Sequence, residues 1–260
     1  MAEAQCSRST RRPDPVLPLE IGDLRELSNL STKRRRCRII FVTGTDTGAG
    51  KTVLTGLLLA CLRHRRVNAV AMKPFSTGNR DDAKLLRKLI GLEMTLDEVN
   101  PFHFRRPLAP LISARLEQTS VPIEEVLARI GTASKHCDVL LLEGAGGLMA
   151  PLGPGFCLWE LIQRLRGEVV IAAQNKLGVI NHTLLTLDAL RKLKAARPRV
   201  ALMGCKKPDD SAATNEDLLR ECETSATIIS IPWLAGDLGS ATVIQACARQ
   251  TGRRLAKLLA

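Results

Sequence analysis

The stretch GTDTGAGKT, positions 44–52, comes within one residue of the phosphate-loop pattern G-x-x-x-x-G-K-[ST]. Counted back from Gly50, Lys51 and Thr52, the first glycine belongs at position 45, where the chain carries Thr45; Gly44 stands one place early. The flanks decide how to read it. RIIFVT (38–43) is a short apolar, β-branched run of the kind that forms a strand buried on both faces. KTVLTGLLLACLRHR (51–65) has helical length and spacing. A glycine-rich loop between a strand and a helix can cradle a polyphosphate, because free backbone amides and the positive end of the helix dipole meet there. Lys51 supplies a point charge for the β- and γ-phosphates, and Thr52 a hydroxyl for a magnesium ion.

Outward from this loop the chain alternates. VNAVAMK (67–73) reads as a second strand and Asp81–Leu89 as a short helix. PIEEVLARIGTASKH (122–136) is amphipathic, and CDVLLLEG (137–144) is a buried strand ending at Glu143. CLWELIQRLR, GEVVIAAQ, NHTLLTLDALRKLKAA, PRVALMG, EDLLREC and ATIISIPW continue the helix and strand alternation, and one last helix runs from Ala241 to Leu258. The expected fold is α/β: a doubly wound, mostly parallel sheet with helices on both faces, of the phosphate-loop nucleoside triphosphatase (NTPase) type. Ligands collect at the carboxyl ends of such strands. The loops expected there are GTDTGAGKT, KPFSTG, EGAGG, NKLGVINH and CKKPDD.

Length and composition bound the rest. A chain of 260 residues has room for one large domain, here expected over 37–260, after a flexible basic extension at 1–36 that closes in STKRRRCR. Five acids in the first 26 residues argue against an organelle-targeting peptide. The net charge of +12 suits an anionic ligand but also an ordinary solvated surface. Aromatics make up 3% and tyrosine is absent, which weighs against stacking on single-stranded nucleic acid. The eight cysteines form no C-x-x-C pair and no zinc spacing, so reduced thiols and a cytoplasmic location are expected. No apolar stretch approaches a membrane span.

Three charged residues stand where chemistry needs them. Glu143 ends an interior strand, where a carboxylate can hold magnesium from the side opposite Thr52, and Gly144, Gly146 and Gly147 would let backbone approach phosphate closely. Lys73 directly follows the second strand and can stabilise charge developing in phosphoryl transfer, although position alone does not separate it from surface lysines. Asp82 lies at a helix start, where a capping role alone would explain it.

Together these motifs resemble the dethiobiotin synthase family. Its loop has the form G-T-D-T-x-x-G-K-T, which GTDTGAGKT matches at every fixed position, so the early Gly44 belongs to a longer loop. KPFSTG (73–78), Asp82-Ala83, NPFHFRRPLAP (100–110), EGAGGLMAPL (143–152), KLGVINHTLLT (176–186) and IPWL (231–234) continue the likeness in order. The resemblance implies ring closure of 7,8-diaminononanoate with carbon dioxide, dependent on ATP and magnesium, in a homodimer without membrane or nucleic-acid partners. It makes Lys51 and Lys73 the catalytic lysines and puts Thr52, Asp82 and Glu143 around magnesium. Nucleotide contacts would come from Gly48, Ala49, Gly50, Lys51, Thr52 and Val53, from Asp82, and from Glu143, Gly144, Ala145 and Gly146. Base contacts would come from Cys205, Lys206, Pro232, Trp233 and Leu234. Thr47 and Thr77 would meet the diamine and its carbamate, and Gly178, Val179, Ile180 and Asn181 the carboxylate tail, across the subunit interface.

The chain also departs from the family. Where many members carry asparagine and aspartate to read adenine, it has Gly204-Cys205-Lys206, and a thiol cannot replace an amide's donor and acceptor pair. Altered nucleotide use, including other nucleoside triphosphates, is therefore an expectation. The segment between KPFSTG and Asp82 is short. Rival readings are an amidating ligase of the same fold, for whose glutamine-hydrolysing domain the chain has no length left, and a partition-type ATPase, which usually has an early loop lysine absent from Thr45–Ala49. A third is a relative that has lost turnover.

Overall fold

The computed structural model describes residues 36–193 and 198–260. The extension expected at 1–36 therefore lies, apart from Arg36, outside the described residues. The stretch RIIFVTG forms β1 (Arg38–Gly44), and Ile40, Phe41 and Val42 are fully buried. Its apolar run is continuous because helices cover both faces of the sheet and leave no solvent side to alternate toward. β1 is followed by α1 (Lys51–His64), β2 (Ala69–Met72), β3 (Phe75–Thr77), α2 (Asp81–Ile90), α3 (Leu96–Val99), β4 (Phe102–Phe104), α4 (Pro110–Leu116) and α5 (Ile123–Ser134). The chain continues through β5 (Val139–Glu143), β6 (Pro151–Gly153), β7 (Phe156–Cys157), α6 (Leu158–Leu165), β8 (Glu168–Gln174), α7 (Val179–Arg191) and β9 (Arg199–Met203). A 3-10 turn, Asp210–Ala213, precedes α8 (Asn215–Cys222), β10 (Thr227–Ile231), α9 (Ala241–Gln250) and α10 (Gly252–Leu259).

Six strands form one parallel sheet in the order β10-β9-β8-β1-β5-β2. From β1 the chain crosses by α1 to β2 at one edge, then works back through β5 to β8, β9 and β10 on the other side. Right-handed crossovers running in opposite directions put their helices on opposite faces. α1 therefore covers one face, where it packs against α2, α9 and α10, and α5, α6, α7 and α8 cover the other. This is the doubly wound parallel fold expected, with strand ends within a residue or two of those read from the pattern.

The single last helix is a correction. Thr251 breaks it: both its amide and its Oγ1 donate to the Cys247 carbonyl, and Gly252 starts a separate helix. The break lets Ile244, Cys247 and Ala248 pack toward α1 and α2 while Leu255, Leu258 and Leu259 turn toward β9, β10 and α1. Two small sheets were not foreseen. β3 pairs in parallel with β4, with Phe75 opposite Phe102 and their rings stacked at 5.1 Å, and β6 pairs antiparallel with β7.

At the carboxyl end of β9, Gly204 donates its amide to the Ile231 carbonyl at 2.8 Å and crosses the strand end of β10 with no space beside it. A Cβ there would stand 2.5 Å from the Trp233 backbone nitrogen and 2.9 Å from the Pro232 carbonyl carbon. These are main-chain atoms that cannot rotate away. Gly204→Ala is expected to lower the unfolding free energy by about 1–3 kcal/mol, read from the midpoint of urea denaturation at unchanged slope.

Candidate functional site

The loop after β1 explains its displaced glycine. A Cβ at Gly44 would lie 2.9 Å from the Asp46 carbonyl oxygen and 3.1 Å from Lys51 Nζ, so the strand must end without a side chain. Thr45 then extends the β1 ladder by donating its amide to Ala172 of β8 at 3.0 Å. Gly48 and Gly50 both hold positive φ, 75° and 90°, which glycine adopts at no steric cost. Gly50 precedes α1 and packs on Met203. Lys51, 8% exposed, folds back so that Nζ donates to the Asp46 carbonyl at 2.9 Å. Burial pulls the Lys51 pKa down, and the charge of Glu143 opposes that pull most strongly.

Across from Lys51 stands the centre of the site. Register between β1 and β5 places Glu143 beside Val42, so its side chain enters the cleft at the foot of the phosphate loop. Glu143 is 1% exposed. Its Oε1 accepts from Thr52 Oγ1 at 2.6 Å and from Lys73 Nζ at 2.8 Å. Lys73 Nζ also donates to Asp82, so the ammonium rests between two carboxylates. Burial alone would lower the Lys73 pKa, but Glu143 and then Asp82 outweigh it, and the net shift is upward. Glu143 Oε2 is buried without a hydrogen-bond partner among the described residues.

For the magnesium that the family resemblance implies, this donor set fits. Thr52, Asp82 and Glu143 offer only hard oxygens, the kind magnesium takes. One of those oxygens, Glu143 Oε2, is an unpaired acceptor, and a cation already sits between the two carboxylates in the form of Lys73.

Lys73 is held from its main chain as well. Its amide donates to the Val99 carbonyl at 2.9 Å, and its carbonyl accepts from Asn100 Nδ2 at 2.7 Å. Asn100, 1% exposed, accepts through Oδ1 from Ser76 Oγ at 2.7 Å and from Arg80 Nε at 3.0 Å. Arg80 in turn donates to the Asn100 and Leu96 carbonyls and to Asp97. The segment from Lys73 to Arg80 is thus clamped on residues 96–100, and no residue-type signal in the sequence marked Asn100 for that work.

A cleft of about 680 Å³ opens above this cluster. Thr47, Gly48, Gly50, Lys51, Thr52, Val53, Lys73, Thr77, Asp82, Glu143, Gly144, Ala145 and Gly146 all line it, so the structure brings most of the expected site residues together. Ala49 is buried behind the loop. Pro107, Leu108, Ala109 and Pro110, from the end of the NPFHFRRPLAP stretch, form a wall of the cleft. The Gly178–Asn181 group does not line the cleft: Gly178 caps α7 with φ of 89°, Val179 is buried, and the adjoining Leu177 is 79% exposed. The residues expected to read the base gather elsewhere on the same rim, after β9 and β10. Cys205 Sγ is 3.5 Å from the Asn175 carbonyl, Lys206 is exposed, Trp233 is 49% exposed and Leu234 is buried. The Asn175 amide is itself occupied: Nδ2 donates to Ala212 and Oδ1 accepts from Asn215.

The chain is similar to known proteins over most of its described length. A sequence model described as an AAA domain matches residues 38–238. The ATP-dependent dethiobiotin synthetase BioD of Akkermansia muciniphila is 36% identical over 185 residues, covering 71% of this chain and 87% of that protein. Its counterpart in Methanococcus vannielii is 38% identical over 154 residues, covering 59% of this chain and 73% of that protein. Among solved structures, the MinD cell division protein of Aquifex aeolicus aligns at a TM-score of 0.51 and 14% identity, covering 82% of this chain and 96% of that one. That likeness shows the fold alone.

The raised Lys73 pKa has a signed consequence. Because the folded value exceeds the unfolded one, the ion pair stabilises the protein fully below the unfolded lysine value of about 10.4, and that contribution is lost as pH rises through the folded value. The stability difference between the wild type and Lys73→Met should therefore stay flat from about pH 7 to about pH 9.5 and shrink above about pH 10.5, followed by urea denaturation at each pH.

Proposed function

The chain belongs to the ATP-dependent dethiobiotin synthetase family, and from that premise we propose that it closes the ureido ring of dethiobiotin from 7,8-diaminononanoate, carbon dioxide and ATP. One amine of the substrate adds to carbon dioxide and loses a proton, giving a carbamate. A carbamate oxygen attacks the γ-phosphorus and ADP departs, leaving a carbamic-phosphoric anhydride. The second amine then attacks the activated carbon, and phosphate leaves as the ring closes.

The observation that carries this reading is Lys73, held between Glu143 and Asp82 at the mouth of the phosphate loop. Amines meet carbon dioxide readily, so the demanding step is phosphoryl transfer, where negative charge must be neutralised as it moves. Lys51 and Lys73 bring two ammonium groups to one cleft, and the N-terminus of α1 adds its dipole. Magnesium, held by Thr52, Asp82 and Glu143, would supply Lewis-acid charge to the phosphate oxygens. Thr47 and Thr77 line the same cleft and would orient the diamine, so that closure becomes effectively intramolecular. The wall at Pro107–Pro110 would shield the activated carbon from water.

The Gly178–Asn181 group would bind the substrate's carboxylate for a second subunit. Gly178 and Asn181 are exposed at the start of α7, beside exposed Leu177 and Leu185, which supports a homodimer in which this surface is covered. Base recognition would be loose, because a thiol stands at Cys205 in place of an amide and the neighbouring amide of Asn175 is committed to Ala212 and Asn215.

Mass-spectrometric detection of dethiobiotin from purified protein, diaminononanoate, bicarbonate, magnesium and one nucleoside triphosphate at a time tests the reaction. Product is expected, and folded protein that binds a triphosphate yet forms none with any base would exclude it. Across the bases, kcat/KM should spread by no more than about tenfold, far less than the discrimination of a site built to hydrogen-bond its base. In the same assay Lys73→Ala should lower kcat by about 10²–10³ while still binding the nucleotide. Unchanged turnover would remove Lys73 from the mechanism.

A further inference from the structure

At the amino ends of the strands, the end opposite the cleft, two thiols face each other. Cys37 immediately precedes β1 and Cys137 immediately precedes Asp138 and β5. Their sulfurs are 3.5 Å apart, and both residues are partly exposed. The Cys61, Cys157 and Cys247 thiols are buried, and no other cysteine pair is in hydrogen-bond contact among the described residues. Cys37 also opens on a cavity of about 240 Å³ lined by Arg36, Arg38, Arg166 and Glu168. Glu168 is engaged by both Arg38 and Arg199, while Arg36 and Arg166 make no ion pair with any carboxylate among the described residues. Among the described residues, Asp138 is the acid whose charge acts on the pair. The cavity lining itself carries three arginines against one glutamate.

We propose that Cys37 and Cys137 form a reversible dithiol-disulfide site whose oxidant is a small anionic disulfide, received in the arginine-lined cavity at Cys37. The reaction balances as an ordinary exchange. The Cys37 thiolate attacks one sulfur of oxidised glutathione, and the first glutathione leaves as a thiolate. Cys137, its proton passed to water, attacks the Cys37 sulfur of the mixed disulfide and expels the second glutathione. Two protein thiols lose two electrons, and one external disulfide is reduced to two thiols.

The roles are assigned by geometry and chemistry together. Cys37 lines the cavity and Cys137 does not, so a disulfide received there would meet Cys37 first. The hydrogen bond from Cys137 lowers the Cys37 pKa, and the same bond raises that of Cys137, which makes Cys37 the attacking thiolate and Cys137 the resolving thiol. The cross-link would join positions separated by 100 residues, fastening the strand that ends in the phosphate loop to the strand that ends in Glu143, at the end of the sheet away from the reacting atoms. This site neither uses nor depends on the ring-closing reaction.

The test titrates the full chain with oxidised glutathione and maps disulfides by peptide mass. A Cys37–Cys137 peptide, with the loss of two free thiols, is expected. Cys137→Ser should stop at a glutathione adduct on Cys37, whereas Cys37→Ser should give no adduct at Cys137. Replacing Arg36 and Arg166 by alanine should slow the wild-type reaction with oxidised glutathione by about threefold or more, and leave that with neutral hydroxyethyl disulfide unchanged. The proposal is overturned if glutathione goes to Cys6 or Cys222 with no cross-link at Cys37, or if the arginine replacements slow both oxidants equally.

Discussion

A carboxylate buried to the last percent needs compensation, and the site is built around the compensation of Glu143. Left alone among the apolar strands, its charge would cost several kcal/mol in lost hydration. It is offset by the ammonium of Lys73 and the hydroxyl of Thr52, both on the same oxygen. Those two residues come from positions 70 and 91 places away in the chain, and only a parallel sheet with β1 beside β5, and β2 beyond it, delivers them together. The ion pair thus ties the phosphate loop, the end of β2 and the end of β5 into one unit. The second oxygen of Glu143 has no hydrogen-bond partner among the described residues.

Much of the fold was legible because its signals are local and repeated. Apolar runs such as RIIFV and VLLLE cannot face water on either side, so they predict interior parallel strands without any need for alternation. The phosphate loop was legible for the same reason: strand, glycines, lysine and hydroxyl follow one another directly. What failed was also local, but weaker. The break at Thr251 rests on a threonine hydroxyl bonding back one turn, and threonine is common inside helices that do not break. FST and FHF are too short for periodicity, and their pairing becomes visible only when Phe75 stacks on Phe102.

The candidate site divides along a similar line. Lys73, Asp82 and Glu143 could be picked out as charges at strand and helix ends, yet nothing in their spacing shows that one ammonium joins both acids. Asn100 was invisible as a positioning residue because its work is done through the Lys73 carbonyl, and main-chain partners leave no compositional trace. The Gly178–Asn181 group was legible only through resemblance. In a single subunit it opens a helix on the rim, apart from the cleft, and its place in catalysis would depend on a partner that one chain does not contain.

The position of β1 at the middle of the sheet has a consequence for how the protein is born. β1 leaves the ribosome near the start of the described chain, but its two neighbours are encoded far downstream: Arg38 lies beside Val139 on β5, and the Arg38 side chain reaches Glu168, 130 residues on. At synthesis rates of about 5–20 residues per second, the strand that carries the phosphate loop waits several seconds with both edges unpaired. Thr45 cannot complete the loop's ladder until Ala172 has emerged to accept its amide. The nucleotide pocket is therefore complete only after the sheet has closed around β1.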